Sequence, residues 1–391
     1  MRVAIFTDYD FDTPNDVTAT LRALLRHAPN GIRPFICTAS EFSDAASDYF
    51  APRAFPARGP MVGDLSLQVP RLWAYVHHVR RESIDAIHLA TPGPLGVTAR
   101  YVAWHTGLPL LGSIPGDVVS AQATSRSFTA TASRRYRRWL YGGCERVLVR
   151  SAGARDRLVS DGIRPANVAI WPAGVDPEFY TPVKRSPAVR ERWRVSERRP
   201  AIMYVGGIAR ESGLDLLRPI QSALHRRRIE HRLVLVGDGP SRRALQEELP
   251  DAIFTGPLRP ADAAVAIASA DLLLFPGETT PAPAVLEAQA SGVPVIVAGH
   301  GTAYEYIRDG ETGIACDRLE IDRLADRAAR LFREPARHHE MSVAARAHAL
   351  SFRWQDTLDP VYRSYVYMSR LGRRPAGDGA PAASTTSDAT M

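Results

Sequence analysis

Leu272–Ile296 reads L-L-L-F-P-G-E-T-T-P-A-P-A-V-L-E-A-Q-A-S-G-V-P-V-I. The pattern is that of a buried strand, a Gly/Thr/Pro loop, a helix stopped at Gly292, and a second buried strand. Pro281 and Pro283 suit the first turn of such a helix, where a missing N–H costs nothing. The helix start offers backbone N–H groups and the positive end of a helix dipole, a natural seat for a phosphate. Glu287 lies one turn in, on a helix otherwise made of Ala, Val, Leu, Gln and Ser. It can accept hydrogen bonds from ribose hydroxyls, although an isolated helix Glu also serves simply as a solvated carboxylate. Two further glycine turns follow apolar runs, at Val205-Gly206-Gly207 and in V-G-D-G-P from Val236. His88 ends an apolar run and either faces a site or is a core-edge histidine satisfied by its neighbours. No HExxH, GxSxG, Walker-type loop or strand-borne GxGxxG is present, which sets aside the common hydrolase, NTPase and dehydrogenase chemistries.

Two series of elements must position these residues. Strands are expected at Val3–Thr7, Pro34–Thr38, Asp85–Leu89, Pro109–Gly112, Arg146–Val149 and Val168–Trp171, with helices at Val17–His27, Val69–Arg81, Pro94–His105 and Ala152–Asp161. Pro172–Pro200 reads as a linker. The alternation then restarts with strands Ala201–Val205, Arg232–Val236, Ala252–Phe254, Asp271–Phe275, Val293–Val297 and Ile314–Cys316. Helices Gly213–Arg227, Pro240–Glu248 and Ala284–Ser291 lie between them, and three helical periods close the chain near Glu320–Arg333, Ala336–Leu350 and Trp354–Arg370. Two βα series of this length predict two α/β domains with parallel sheets. Ligands of such sheets sit beyond the carboxyl ends of the strands, here in a cleft between the halves. The Ala/Ser/Thr/Pro/Gly-rich tail beyond Arg373 lacks the apolar content to fold.

At 391 residues, with 45% apolar and 23% charged residues, the composition is that of a soluble globular protein of two domains. No apolar run approaches a membrane span, and MRVAIFTD reads as a first strand rather than a secretion signal. Cys37, Cys144 and Cys316 are too few and too scattered for a disulfide framework or a zinc site, so a reducing cytoplasm and no metal are expected. The charge of +7 comes almost wholly from Arg. Arg-rich codon usage accounts for it, as does attraction to a phosphorylated ligand or an acidic membrane. In S-R-R-Y-R-R-W-L-Y (Ser133–Tyr141), Tyr136, Trp139 and Leu140 share a helical face. The simpler reading is a surface helix packed by its aromatic side; the other is a membrane-facing helix.

Here a resemblance becomes specific. FPGE…PAVLEAQASGVPVIV, followed by EYIRDGETG (Glu305–Gly313), looks like the donor-site block of the family-four retaining glycosyltransferases. VGGIARESGLDLL (Val205–Leu217), LVLVGDGPSRRAL (Leu233–Leu245) and WPAGVDPEFYTP (Trp171–Pro182) resemble that family's other second-domain and hinge blocks. FTDYDFDTPNDVTATL (Phe6–Leu21) and IHLATPGPLG (Ile87–Gly96) match its first domain in order and spacing. The resemblance covers nearly all of the chain except the tail. It implies a GT-B fold, two Rossmann-like domains facing across a cleft. Residues 1–185 would be the acceptor domain, 186–352 the donor domain, 353–371 a crossover helix and 372–391 a disordered tail. It also implies transfer of a hexosyl group from a nucleotide-diphosphate sugar to a hydroxyl of a lipid, glycan or natural product. The donor is a substrate and no cofactor, metal or nucleic acid is expected.

Carried over by position, Asn15, Asp16, Gly206, Gly207, Ser212, Val285, Leu286 and Glu287 would contact the donor. Glu278 and Thr279 would lie at the reacting sugar. Several positions depart from the family pattern. The cations that usually hold the diphosphate are replaced by Gly207 and Ser212, and a glycine of the first loop by Asp16. A histidine of the first domain is replaced by Pro115, and an arginine of the hinge motif by Ala173. Arg210, Arg259 and His300 are candidate substitutes for the lost charges. The departures leave open a GT-B partner or regulatory subunit without catalysis, and, more remotely, a nucleotide-sugar epimerase.

Overall fold

A computed structural model describes residues 1–11, 15–39, 49–52, 55–58, 68–114, 128–277, 282–299 and 302–372. The chain forms two compact units: among the described residues, one holds 1–114, 128–170 and 359–372, the other Trp171–Leu358.

In the first unit the strands are β1 (Arg2–Phe6), β2 (Arg33–Cys37), β3 (Tyr49–Phe50), a separate antiparallel pair β4 (Phe55–Arg58) and β5 (Gln68–Val69), then β6 (Ala86–Leu89), β7 (Leu110–Ile114), β8 (Arg146–Val149) and β9 (Val168–Ile170). Seven of them make a parallel sheet in the order β3-β2-β1-β6-β7-β8-β9. The connecting helices are α1 (Asp16–Arg26), α2 (Leu72–Arg81), α3 (Pro94–Thr106), α4 (Phe128–Gly142) and α5 (Ala152–Ser160).

The second unit has β10 (Ala201–Val205), β11 (Arg232–Val236), β12 (Ile253–Gly256), β13 (Leu272–Phe275), β14 (Val295–Ala298) and β15 (Gly313–Cys316), parallel in the order β12-β11-β10-β13-β14-β15. Its helices are α6 (Pro187–Arg192), α7 (Leu217–Arg226), α8 (Arg242–Glu248), α9 (Pro260–Ser269), α10 (Ala282–Ala290), α11 (Ile321–Arg333), α12 (Pro335–Ala349) and α13 (Trp354–Thr357). The central strands are apolar throughout and buried, as strands covered on both faces must be. In each sheet the strand order reverses once, between β1 and β6 and between β10 and β13. Loops at the carboxyl ends of those strands are where such sheets bind ligands.

The chain leaves the first unit after Ile170, earlier than the expected boundary at 185/186. The reason lies in the segment Trp171–Pro182, which is fastened to the second unit. Arg346 of α12 donates to the carbonyls of Tyr180 (2.7 Å), Pro177 (2.8 Å) and Ala290. Val175 bonds on both sides, its N–H to Phe352 (2.8 Å) and its carbonyl to Trp354 (3.2 Å). A Cβ on Gly174 would lie 2.3 Å from the Trp354 indole, so only glycine admits this packing. Pro172–Pro200 is therefore not a bare linker. Other departures are local: the helix expected from Val69 begins at Leu72, the strand expected to end at Gly112 runs to Ile114, and α6 and α9 were not foreseen.

The last helix, α14 (Asp359–Leu371), belongs to the first unit, and residues 373–391 of the expected tail lie outside the described residues. Tyr362 donates to the Leu24 carbonyl at 2.8 Å, and the Tyr365 hydroxyl meets His88 Nδ1 at 2.7 Å. Ser113 Oγ meets the other ring nitrogen at 2.9 Å. His88 is thus a satisfied core histidine holding α14, and its burial pushes its pKa down to about 3. The folded state keeps the ring neutral, while the unfolded chain takes up a proton near pH 6.5. Stability from this group is therefore complete above pH 6.5 and is lost as pH falls toward 3, at about 1.4 kcal/mol per pH unit. Denaturant midpoints across that range should show a shallower slope in His88→Gln; an unchanged slope would assign the acid sensitivity elsewhere.

Candidate active site

Three glycine-bearing loops meet at the carboxyl ends of β10, β11 and β13, at the reversal point of the second sheet. The first two are bonded edge to edge: Gly206 N–H to the Val236 carbonyl (3.0 Å), Ile208 N–H to the Asp238 carbonyl (2.9 Å) and Ser241 N–H to the Ile208 carbonyl (3.0 Å). Their backbones also approach too closely for side chains. A Cβ on Gly237, whose φ is +134°, would lie 2.0 Å from the Gly206 carbonyl oxygen. One on Gly213 (φ +69°) would lie 2.6 Å from Gly277 Cα, and one on Gly277 2.4 Å from the Ser212 oxygen. The glycines in VGGIARESG, VGDGP and FPG interlock, which is why these blocks occur together.

Gly207 stands apart. It is exposed, and a Cβ there would meet nothing within 4 Å. Its carbonyl accepts from Ser212 Oγ (2.7 Å) and Tyr204 Oη (2.9 Å). Ser212, at the position of a family lysine, thus ties its own loop back. Arg210 follows in the same loop, is exposed, and makes no ion pair among the described residues. Arg259 pairs with Asp262 at 3.0 Å and is less available as a substitute cation.

Behind the third loop runs α10, nine residues of which only Glu287 is charged. Val285 and Leu286 are fully buried in the unit's core. Both side chains lie on the helix face that packs inward. Pro283 and Glu287, four residues apart, are the half-buried stripe, so Glu287 lies on the accessible side of the helix. Gln289, buried, donates to the Tyr306 carbonyl at 3.0 Å, and Tyr306 Oη accepts from the Ala173 N–H at 2.7 Å. These bonds join α10 to the EYIRDGETG and WPAGVDPEFYTP segments. Glu278, Thr279 and His300 lie outside the described residues, as does Pro115.

In the first unit, Asn15 caps α1. Its side-chain oxygen accepts from Val17 (3.0 Å) and Thr18 (2.9 Å), and Thr18 Oγ1 accepts from the Asn15 N–H at 3.1 Å. Asp16 is the first residue of that helix and half-buried. Burial raises its carboxyl to about 6, against the opposing pull of the Arg150 guanidinium. The negative charge at this position is therefore partly met within the protein.

Sequence reading missed Asp8. Its buried carboxylate accepts from Thr91 Oγ1 (2.5 Å), Gly93 N–H (3.0 Å) and Leu95 N–H (2.7 Å), capping α3 from across the sheet. Burial raises its pKa, opposed by those hydrogen bonds. The two first-domain blocks are held together by this carboxylate. Among the described residues no cluster of His, Cys, Asp and Glu could hold a metal, and no helix is long and apolar enough to cross a membrane.

Comparison with known proteins agrees with this geometry. Residues 17–179 match the family model for Glycosyltransferase Family 4, and residues 199–334 that for Glycosyl transferases group 1. The chain is 32% identical to a GDP-mannose-dependent alpha-mannosyltransferase of Corynebacterium glutamicum, over 96% of this chain and 91% of that protein. It is 31% identical to one of Mycolicibacterium smegmatis, over 96% and 99%. Among solved structures, Anabaena Alr3699/HepE in complex with UDP-glucose superposes with a TM-score of 0.76 at 17% identity, covering 94% of this chain and 100% of that one. Sucrose-phosphate synthase from Thermosynechococcus elongatus also gives 0.76, at 17% identity over 95% and 99%. Two Rossmann-like units, a glycine-lined loop cluster and full-length similarity converge: the chain belongs to glycosyltransferase family 4 and is a GT-B glycosyltransferase.

Proposed function

We propose that this glycosyltransferase moves mannose from GDP-mannose to a hydroxyl acceptor with retention of anomeric configuration and without a metal. The observation that carries the donor choice is the 32% and 31% identity, over nearly full length, to two GDP-mannose-dependent mannosyltransferases. The loop at Gly206 and Gly207 and the start of α10 would receive the diphosphate, with backbone N–H groups and the helix dipole stabilising it as it departs. Glu287 would hold the ribose, and Glu278 and Thr279 the sugar. Since the donor carries its own leaving group, catalysis rests on positioning and on that electrostatic stabilisation. The acceptor is read as a hydroxyl presented at the cytoplasmic membrane face, which the protein would touch without spanning.

The alternative left open by the sequence is a binding subunit, since Gly207 and Ser212 supply no cation to the diphosphate. Incubation with GDP-mannose labelled in the sugar, plus a lipid extract as acceptor, separates the two. Label appearing in an α-linked product supports transfer. Binding of GDP-mannose without product or hydrolysis supports the subunit. Equal turnover of UDP-glucose would reject the donor assignment.

A further inference from the structure

Helices α2, α3 and α4 of the first unit carry seven arginines and no aspartate or glutamate. They also expose three tryptophans: Trp73 by 64%, Trp104 by 50% and Trp139 by 45%. The simpler reading of Ser133–Tyr141, a helix packed by its aromatic side, holds in part: Leu140 is fully buried and Tyr136 Oη donates to the Pro92 carbonyl, while the rings of Tyr136 and Trp139 stay substantially exposed. The rings, with the Arg100 guanidinium between α3 and α4, form a continuous strip across the three helices. Trp73 meets Tyr101 and His105 edge-on, with centroids at 6.3 and 5.0 Å. Tyr101 meets Trp104 at 6.0 Å, and on the same helix the Arg100 guanidinium lies over Trp139 at 5.1 Å. Asp161 pairs with both Arg134 and Arg137 (3.2 and 2.8 Å), offsetting one of their two charges, and Arg80, Arg135 and Arg138 are exposed and make no ion pair among the described residues.

A merely solvated basic surface has no need of tryptophans, and soluble proteins scatter exposed apolar side chains singly rather than in strips. Indole rings interleaved with unpaired arginines are what the interface of an anionic bilayer selects: the rings settle at headgroup depth and the guanidiniums meet lipid phosphates. We propose that this face of α2, α3 and α4 docks the protein onto an anionic lipid membrane. The inference extends the reading of a membrane-presented acceptor given above. Its test needs neither donor nor acceptor, so its failure leaves the transfer reading standing.

The experiment is flotation of the full chain with phosphatidylcholine vesicles containing phosphatidylglycerol, beside vesicles of phosphatidylcholine alone. The wild type should float with the first and not the second, and added salt should release it. Trp73→Ser, Trp104→Ser and Trp139→Ser combined should abolish flotation while the protein stays folded, its denaturant midpoint lowered only by the lost ring contacts. Arg135→Gln with Arg138→Gln should weaken binding about thirtyfold, about fivefold per charge at the membrane surface. Absence of flotation by the wild type would overturn the proposal, as expected if the strip instead receives an acidic protein. So would equal flotation with both vesicle types, or full binding by both variants.

Discussion

Gly237→Ala is expected to destabilise the protein by about 3–5 kcal/mol and to lower sugar transfer at least about a hundredfold. At φ +134° an alanine is strained before any contact is considered. Its Cβ would then stand 2.0 Å from the Gly206 carbonyl oxygen, a backbone atom that cannot rotate away. The loops after β10 and β11 must separate, and the Gly206–Val236 bond that joins them is lost. Displacement of this order is enough to misplace a diphosphate seated on the same loops. Gly207→Ala is the control, because a methyl group there meets nothing within 4 Å. Urea denaturation of both variants checks the stability claim; equal midpoints for Gly237→Ala and the wild type would show that the loops do not interlock.

Gly207→Arg combined with Ser212→Lys should tighten GDP-mannose binding by about two orders of magnitude. Each charge-assisted hydrogen bond to a phosphate contributes about 1.5–3 kcal/mol. The space beside Gly207 is open, so the guanidinium can be accommodated. The gain is reduced by about 1 kcal/mol, the typical worth of the lost Ser212 bond to the Gly207 carbonyl. Calorimetric titration of the double variant beside the wild type measures the difference. Unchanged affinity would mean that the diphosphate does not lie over this loop.

Much of this architecture could be read from the sequence, for identifiable reasons. Runs such as Ala201–Val205 and Leu272–Phe275 are short, apolar and bounded by turn residues, so a buried parallel strand is nearly the only element they can form. Gly237 and Gly239 announced a turn by type alone. The reason they must be glycine, the carbonyls of Gly206 and Ile208 pressed against them, is a contact between loops that no local pattern encodes. Asp8 capping α3 and Arg346 fastening the Trp171–Pro182 segment join positions far apart in the chain and were invisible for the same cause. The face of α4 illustrates a different limit. Its periodicity showed that Tyr136 and Trp139 share a side, but periodicity cannot tell whether that side is covered. Motif position groups Val285 and Leu286 with the donor contacts, and no local pattern announces that their side chains turn into the core.

If a nucleotide sugar lies on the loops of the second unit with its ribose against α10, Glu287→Gln should weaken GDP-mannose binding about tenfold to a hundredfold. The substitution keeps the shape of the side chain and removes one charge-assisted hydrogen bond. The titration reads it directly, with the denaturant midpoint as a check that the fold is intact. Affinity for GDP-mannose equal to that of the wild type, in a folded Glu287→Gln protein, would contradict the placement of the donor at α10.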